Sequence, residues 1–455
     1  MDAVAGAASP SILGISFDGL AISGIVNEFV NLAVVLGRNR LRVLLDLGYD
    51  VTLGRKQDLG RAQLPAFIEP IRCIRDNLTV AYDAALIDQA FADVVAGKRI
   101  ADSRAYDDVV RTLSRSLLET FVRQNVHIVV IENGTLPDNP LFTEAVLFAI
   151  AEYGALRQFG KFVFWRDHDL MWSVEPHLYG SYPYPGVRRP EANEHIHHVV
   201  TTEWMRTRMQ AWAPSVTYHV IPYPFFTDNA RRHPRSLRAA YGIPDSAYVI
   251  ARCTRVVPQK TIERDLRLLH EIQLRLIRVG NTRKVFLFVT GPTQEDPAEF
   301  ERLQLLAGHL SIAGQVIWAD GLPMFDPTQP ANMPGQFSIS DVLAECDISS
   351  FLTSFDYEGF GLPPGEAMAM GVPFIATTYE LYQEVYGSRG AVAPLLLIDR
   401  TSLPSDPFPD AFVQWTMRVL VDTAYRAEII AHNHTVAQRF FSNDALARKL
   451  NALFG

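Results

Sequence analysis

Residues Glu358–Gly371 read EGFGLPPGEAMAMG. Two glutamates, Glu358 and Glu366, stand eight positions apart, with Gly359, Gly361, Gly365 and the pair Pro363–Pro364 between them. Glycine lets backbone N–H groups approach a ligand where a side chain would block them. Proline is tolerated in the first helical turn, whose N–H groups have no intrahelical partner. The reading is a loop that delivers N–H donors to the positive end of a helix, Gly365–Met370, with a carboxylate on each flank. Such a loop suits a ligand carrying both phosphates and hydroxyls. An acid placed favourably in a first helical turn, worth about 0.3–1 kcal/mol, would explain Glu366 alone. It leaves the EGFG before it unexplained.

Outward from this stretch, short apolar and β-branched runs alternate with longer helical patterns. Ile348–Leu352 precedes it and Val372–Ala376 follows it as candidate strands. Others are Ser11–Phe17, Val126–Ile131, Lys161–Trp165, His198–Thr201 and Tyr218–Ile221 in the first half, and Tyr248–Cys253, Val285–Thr290 and Gln315–Trp318 in the second. Alternation of this kind predicts α/β architecture with parallel sheets covered by helices. The two series predict two sheets, divided near Pro222–Pro234, whose proline and polar content suits a linker. The expected domains are residues 1–225 and 226–435. Ala445–Phe454 is amphipathic and reads as a final helix.

Bulk properties narrow the class. A chain of 455 residues is long for one domain, and 48% hydrophobic with 20% charged residues fits large buried cores. The net charge of −8, with no Lys/Arg-rich run, disfavours a nucleic-acid binder. Three cysteines far apart, Cys73, Cys253 and Cys346, fit a reducing compartment better than a disulfide framework. The N-terminal MDAVAGAASPS lacks the basic and apolar regions of a signal peptide. No apolar run reaches the roughly 18 residues that suggest a transmembrane span. The expected location is the cytoplasm; peripheral membrane contact and oligomeric state stay open.

Ser340–Thr378, which contains the opening motif, resembles the signature of family 4 glycosyltransferases, retaining enzymes with the GT-B fold. Their hallmark is two glutamates separated by seven residues within EGFGLPxxEAMAxGxPVIA. The resemblance implies two Rossmann-like domains facing each other across a cleft, the first binding an acceptor and the second a nucleotide sugar, with residues 436–455 crossing back to the first. It also implies roles. Arg255 and Lys260, in CTRVVPQKT, would clamp the donor diphosphate, although Thr254 and Thr261 stand where the family usually has glycine. Glu366 would accept from the ribose hydroxyls and Glu358 from the transferred sugar. Gly359 and the backbone of Phe360, Gly361 and Leu362 would face sugar and phosphate. In the first half, Gly24 of FDGLAISG would approach the donor, and His168 of FWRDHDLMW would line the reaction centre. The catalytic set is then His168, Glu358, Lys260 and Arg255.

The implied reaction moves a hexose from a UDP- or GDP-hexose to a hydroxyl of a saccharide or small molecule, with no cofactor and no metal. The run Asp167-His168-Asp169 invites a DxD metal reading, but the family resembled generally needs none. The histidines of Glu194–His198 match no zinc spacing and read as a solvated helix end. Two polar, aromatic loops, Asn133–Phe142 and Tyr179–Arg189, are candidates to hold an acceptor. Asn133, Tyr182 and Arg188, with Arg166 and Asp169, are the residues singled out, and Arg188 and Arg189 are available for an anionic group. The competing readings are a sugar-nucleotide epimerase, a phosphorylase, and a non-catalytic nucleotide-sugar-binding protein.

Overall fold

The β-branched runs pair into two all-parallel sheets. The computed structural model describes residues 9–16, 24–37, 41–46, 64, 67–71, 82–174, 176, 180–225, 236–323 and 337–454. The first sheet contains β1 (Ser11–Ser16), β2 (Arg42–Asp46), β3 (Ile68–Ile71), β4 (Val126–Glu132), β5 (Val163–Asp167), β6 (Ile196–Val200) and β7 (Tyr218–Val220), in the order β3-β2-β1-β4-β5-β6-β7. The second contains β8 (Tyr248–Arg252), β9 (Val285–Val289), β10 (Val316–Trp318), β11 (Ile348–Phe351), β12 (Phe374–Thr377) and β13 (Leu395–Leu396), in the order β10-β9-β8-β11-β12-β13. Strands such as β8 and β9 are buried along their whole length, which is why they read as continuous apolar runs rather than alternating ones. Contacts divide the chain into two compact units, with the break between Tyr223 and Pro224.

The longer helices are α1 (Gly24–Gly37), α2 (Ala84–Val95), α3 (Arg104–Arg123), α4 (Pro140–Arg157), α5 (Glu203–Trp212), α6 (Ile262–Arg278), α7 (Pro297–His309), α8 (Leu362–Ala369), α9 (Asp410–Val421), α10 (Thr423–Phe441) and α11 (Asn443–Phe454). Local chemistry sets their starts. Asn139 caps α4 by accepting from the Phe142 N–H, with Pro140 at the first position. Asp296 and Pro297 do the same for α7. Along α6, Ile262, Leu266, Leu269, Ile272 and Leu276 recur at helical spacing and join the unit 2 core around β8 and β9. The unit 1 core packs α3 and α4 residues, among them Leu113, Leu117, Phe142 and Ala149, against β4 and β5. Among the described residues no helix is long and apolar enough to cross a membrane.

Two expectations need correction. The histidines of 194–198 are not a solvated helix end: His195, His197 and His198 are buried, and Ile196–Val200 is an interior strand. β6 lies between β5 and β7, and the His197 ring stacks on Phe164 with centroids 5.5 Å apart. The helix expected to begin at Gly365 begins at Leu362, so both prolines sit in its first turn. β2, β3 and β13 are additional strands.

Candidate functional site

In each sheet one pair of neighbouring strands marks the point where the strand order reverses, and crevices beyond the carboxyl ends at such points are where open α/β sheets bind ligands. In unit 2 these strands are β8 and β11. Past β8 the chain runs through Arg255 and a short 3₁₀ turn, Pro258–Lys260. Past β11 it runs through Thr353 and Glu358 to α8. The Lys260 ammonium donates to Glu358 Oε1 at 2.6 Å, and the Thr353 hydroxyl donates to the same oxygen at 2.7 Å. The ammonium also stands 4.8 Å from the centre of the Tyr357 ring, within cation–π range. Burial pulls the Lys260 pKa down and the Glu358 carboxylate opposes it; the net direction is down. Arg255 donates to Glu295 Oε1 and to the Tyr357 hydroxyl, both at 2.7 Å, and its side chain is 41% exposed.

These two loops are tied together from below. Arg252, fully buried at the end of β8, donates to the carbonyls of Lys260 and Ser350, one from each loop side. Asp265 lies 3.6 Å from its Nε and accepts from the Ser350 hydroxyl. Arg264 donates to the Thr353 carbonyl at 2.6 Å. Thr261, in the place where the resembled family has glycine, adopts φ +48°, a left-handed conformation that is unusual for a β-branched residue. Its hydroxyl donates to the Leu352 carbonyl and accepts from Arg264, which gives this threonine an anchor glycine lacks.

Glu366 lies in α8, half-buried. Burial pushes its carboxyl up to about 7, and among the described residues it has no hydrogen-bond or ion-pair partner. The glycines around it have local reasons. Gly361 takes φ +81°, and a Cβ there would stand 2.3 Å from the Tyr379 hydroxyl. A Cβ on Gly365 would stand 2.0 Å from the Phe225 ring. The Tyr379 hydroxyl donates to the Phe360 carbonyl, and the Tyr386 hydroxyl donates to Gly361 and accepts from the Gly365 N–H. Buried tyrosines thus brace the segment Phe360–Gly365.

In unit 1 the corresponding strands are β1 and β4. Gly24 is the first residue of α1; Phe17–Ser23 lie outside the described residues. Glu132 ends β4 and is paired in register with Arg166 of β5. Arg166 donates to Glu132 Oε1 at 2.7 Å, with Glu28 of α1 3.8 Å from its other terminal nitrogen. His168, 2% exposed, has both ring nitrogens engaged: Nε2 with Glu132 Oε2, Nδ1 with the Tyr223 hydroxyl at 2.5 Å. Its ring lies parallel to that of Tyr223. Burial works against the Glu132 carboxylate, but Arg166 and His168 beside it hold its pKa below the ordinary range. Asn133, at φ +56°, accepts from the N–H groups of His168 and Asp169 and donates to the Asp169 carboxylate. Asp167 accepts from the Thr135 N–H, and burial pushes its carboxyl up to about 7. Asp167, His168 and Asp169 therefore engage three different sets of partners. Among the described residues no group of three or more His, Cys, Asp or Glu side chains is placed to hold a metal ion.

Of the residues singled out by sequence, Lys260 pairs with Glu358, Arg255 reaches Tyr357 beside Glu358, and Glu366 lies on α8, which follows that loop. Arg166, His168, Asn133 and Asp169 come together in unit 1. Tyr182 is exposed, and Arg188 pairs with Glu144. Sequence reasoning missed Glu132, Glu295, Tyr357 and Thr353. Tyr357, adjacent to Glu358, was the most accessible of these; Glu132 and Glu295 become partners only through the fold.

Residues 235–392 match the family model described as glycosyl transferases group 1. Sequence comparison with curated proteins finds no match. Solved structures similar over nearly the whole chain include sucrose-phosphate synthase from Thermosynechococcus elongatus, with TM-score 0.62 at 15% identity over 98% of each chain. Trehalose-6-phosphate synthase OtsA is similar with TM-score 0.62 at 12% identity, over 98% of this chain and 99% of that one. Anabaena Alr3699/HepE in complex with UDP and glucose is similar with TM-score 0.56 at 14% identity, over 98% and 99%. The chain therefore has the α/β GT-B fold of these proteins, and residues 235–392 of its second unit match the model of the glycosyl transferases group 1.

Proposed function

We propose that this protein is a metal-independent, retaining glycosyltransferase that moves a hexose from a nucleotide sugar to a hydroxyl of a saccharide or small-molecule acceptor, in the cytoplasm. The observation that carries the reading is the unit 2 crevice, where Arg255 and Lys260 on one loop meet Tyr357 and Glu358 on the next, and Glu366, without a side-chain partner among the described residues, lies on the helix that follows. As the glycosidic bond breaks, negative charge moves onto the departing diphosphate and positive charge onto the sugar ring. Fixed cations stabilise the first, and they act most strongly where water is thin. Arg255 is held by Glu295 and Tyr357 and Lys260 by Glu358, so neither cation has to be ordered at the moment of reaction. Glu358 uses Oε1 for Lys260 and Thr353, leaving Oε2 for hydroxyls of the transferred sugar. Glu366, when ionised, only accepts hydrogen bonds, which matches ribose hydroxyls. A UDP-sugar donor is supported by the similar structure that holds UDP and glucose.

In unit 1, His168 can meet a substrate hydroxyl by exchanging one of its two hydrogen bonds for it. Retention is read as attack from the face the diphosphate leaves, with the diphosphate taking the acceptor proton. Retaining glycosidases instead use two carboxylates about 5 Å apart. The test is release of nucleoside diphosphate from a panel of nucleotide sugars, with and without sugar acceptors, followed by assignment of the product anomer by NMR. Tight binding of a nucleotide sugar with no release under any acceptor would refute the transferase reading, and an inverted anomer would refute retention.

A further inference from the structure

Unit 1 contains a pocket between parts of the two loops expected to hold an acceptor, to which the proposed reaction assigns no group. It is walled by the Gly134–Pro137 loop, one side of α4 and the strap of residues 186–193, and has a volume of about 240 Å³. Trp165 and His198, partners across β5 and β6, face it together with Ile196, two residues from His198 on the same side of the strand. Gly186 lets the strap come close: its N–H donates to the Val94 carbonyl, and a Cβ there would stand 2.5 Å from the Lys98 carbonyl oxygen. A cavity of roughly 150 Å³ accepts a benzene ring, so this one has room for a body of about two rings.

The lining states what kind of molecule fits. Its charges cancel: Arg188 and Arg189 stand against Glu144 and Glu191, and Arg188 donates to Glu144 at 2.5 Å. The remaining surface is mainly apolar, and Phe148, 50% exposed, lies on it with its ring partly in water. One polar group there keeps hydrogen-bonding capacity to spare. His198 is 6% exposed; the Glu191 backbone of the strap acts on its ring, and no other hydrogen-bond partner reaches either ring nitrogen among the described residues, although buried polar side chains are nearly always satisfied. Burial pushes its pKa down to about 4, so at neutral pH the ring is uncharged, one nitrogen a donor and the other an acceptor. A hydroxyl, itself donor and acceptor, complements either.

We propose that this pocket binds an uncharged molecule with an apolar, ring-sized body and a hydroxyl that hydrogen-bonds to His198. The proposal is independent of sugar transfer. Calorimetric titration of the full chain with 2-naphthol, its methyl ether and 2-naphthoate tests it. The expected result is saturable 1:1 binding of 2-naphthol, about tenfold tighter than the ether, the size of one net hydrogen bond, and tighter still than the charged naphthoate. His198→Phe should lower 2-naphthol to the level of the ether and leave the ether unchanged, while His198→Gln, which keeps a donor and an acceptor, should retain the preference. Ala192→Trp, at the edge of the strap, should weaken all three. Absence of saturable binding to the wild type, equal affinities for the three probes, or a preference that survives in a folded His198→Phe variant would each overturn the proposal.

Discussion

The two crevices share a topology and differ in how their charges are settled. In unit 1 the polar groups answer one another: Arg166 is bonded to Glu132, His168 to Glu132 and Tyr223, and the loop 167–169 to Asn133. In unit 2 the pairing is partial. Arg255 keeps much of its side chain in solvent, and the Glu366 carboxylate has no partner among the described residues. Arg166 is buried together with its carboxylate, whereas Arg255, though paired with Glu295, keeps a solvent-facing side for a phosphate. The same sheet order thus supports a closed polar scaffold in one unit and a receptive charged surface in the other.

That contrast can be broken at several points. Glu132→Ala leaves Arg166 buried without its main partner and should cost about 3–5 kcal/mol, read as a lower urea midpoint; an unchanged midpoint would mean that the unit 1 cluster is not a scaffold. Lys260→Ala and Glu358→Gln should each lower nucleoside diphosphate release by roughly 10²–10³-fold, the scale of losing one preorganised charge contact, with far-UV circular dichroism unchanged. Wild-type rates in both would move the donor site elsewhere.

The pH dependence comes next in size. Glu366 titrates near 7 when folded, well above its unfolded value, so between about 4.5 and 7 the folded state holds a proton that the unfolded state has lost. Stability attributable to this group therefore falls as pH rises through that window. Donor binding that needs the ionised carboxylate runs the other way, weakening about tenfold for each pH unit below 7. Glu366→Gln should flatten both trends. Asp167 in unit 1 has the same sign, from about 4 to 7, but Asp167→Asn should alter only the stability profile. The smallest effect belongs to Tyr386→Phe, which removes one hydroxyl from the Gly361 carbonyl and the Gly365 N–H. It should cost about 1–2 kcal/mol in stability, with a change in donor KM larger than in kcat.

How much of this was legible in the sequence follows from the range of each interaction. The loop from Glu358 to Glu366 was readable because its glycines, prolines and carboxylates act within a few residues of one another. Even there, the reason for Gly361 and Gly365 was only half visible, since Tyr379 and Phe225 crowd them from elsewhere in the chain. Thr261 looked like a departure from the glycine pattern; the structure shows a left-handed backbone of the kind glycine favours, held by a hydroxyl bond to a carbonyl 91 residues away. Glu132 had no local signal, because it meets Arg166 only through the parallel register of β4 and β5. The histidines at 195–198 misled for the same reason: polarity suggested solvent, and the interior position of β6 decided otherwise.

Arg252 carries one more consequence. Surface loops usually tolerate insertions at little thermodynamic cost. The turn after β8 is different, because its last carbonyl, that of Lys260, is fastened to the strand end from which the turn departs. The eight-residue step from Arg252 to Lys260 therefore acts as a fixed length. Added residues would have to bulge between Cys253 and Gln259 or release the arginine, and releasing it would also free the Ser350 carbonyl on the neighbouring strand. Natural variation in loop length should be scarce here and plentiful in the strap of unit 1.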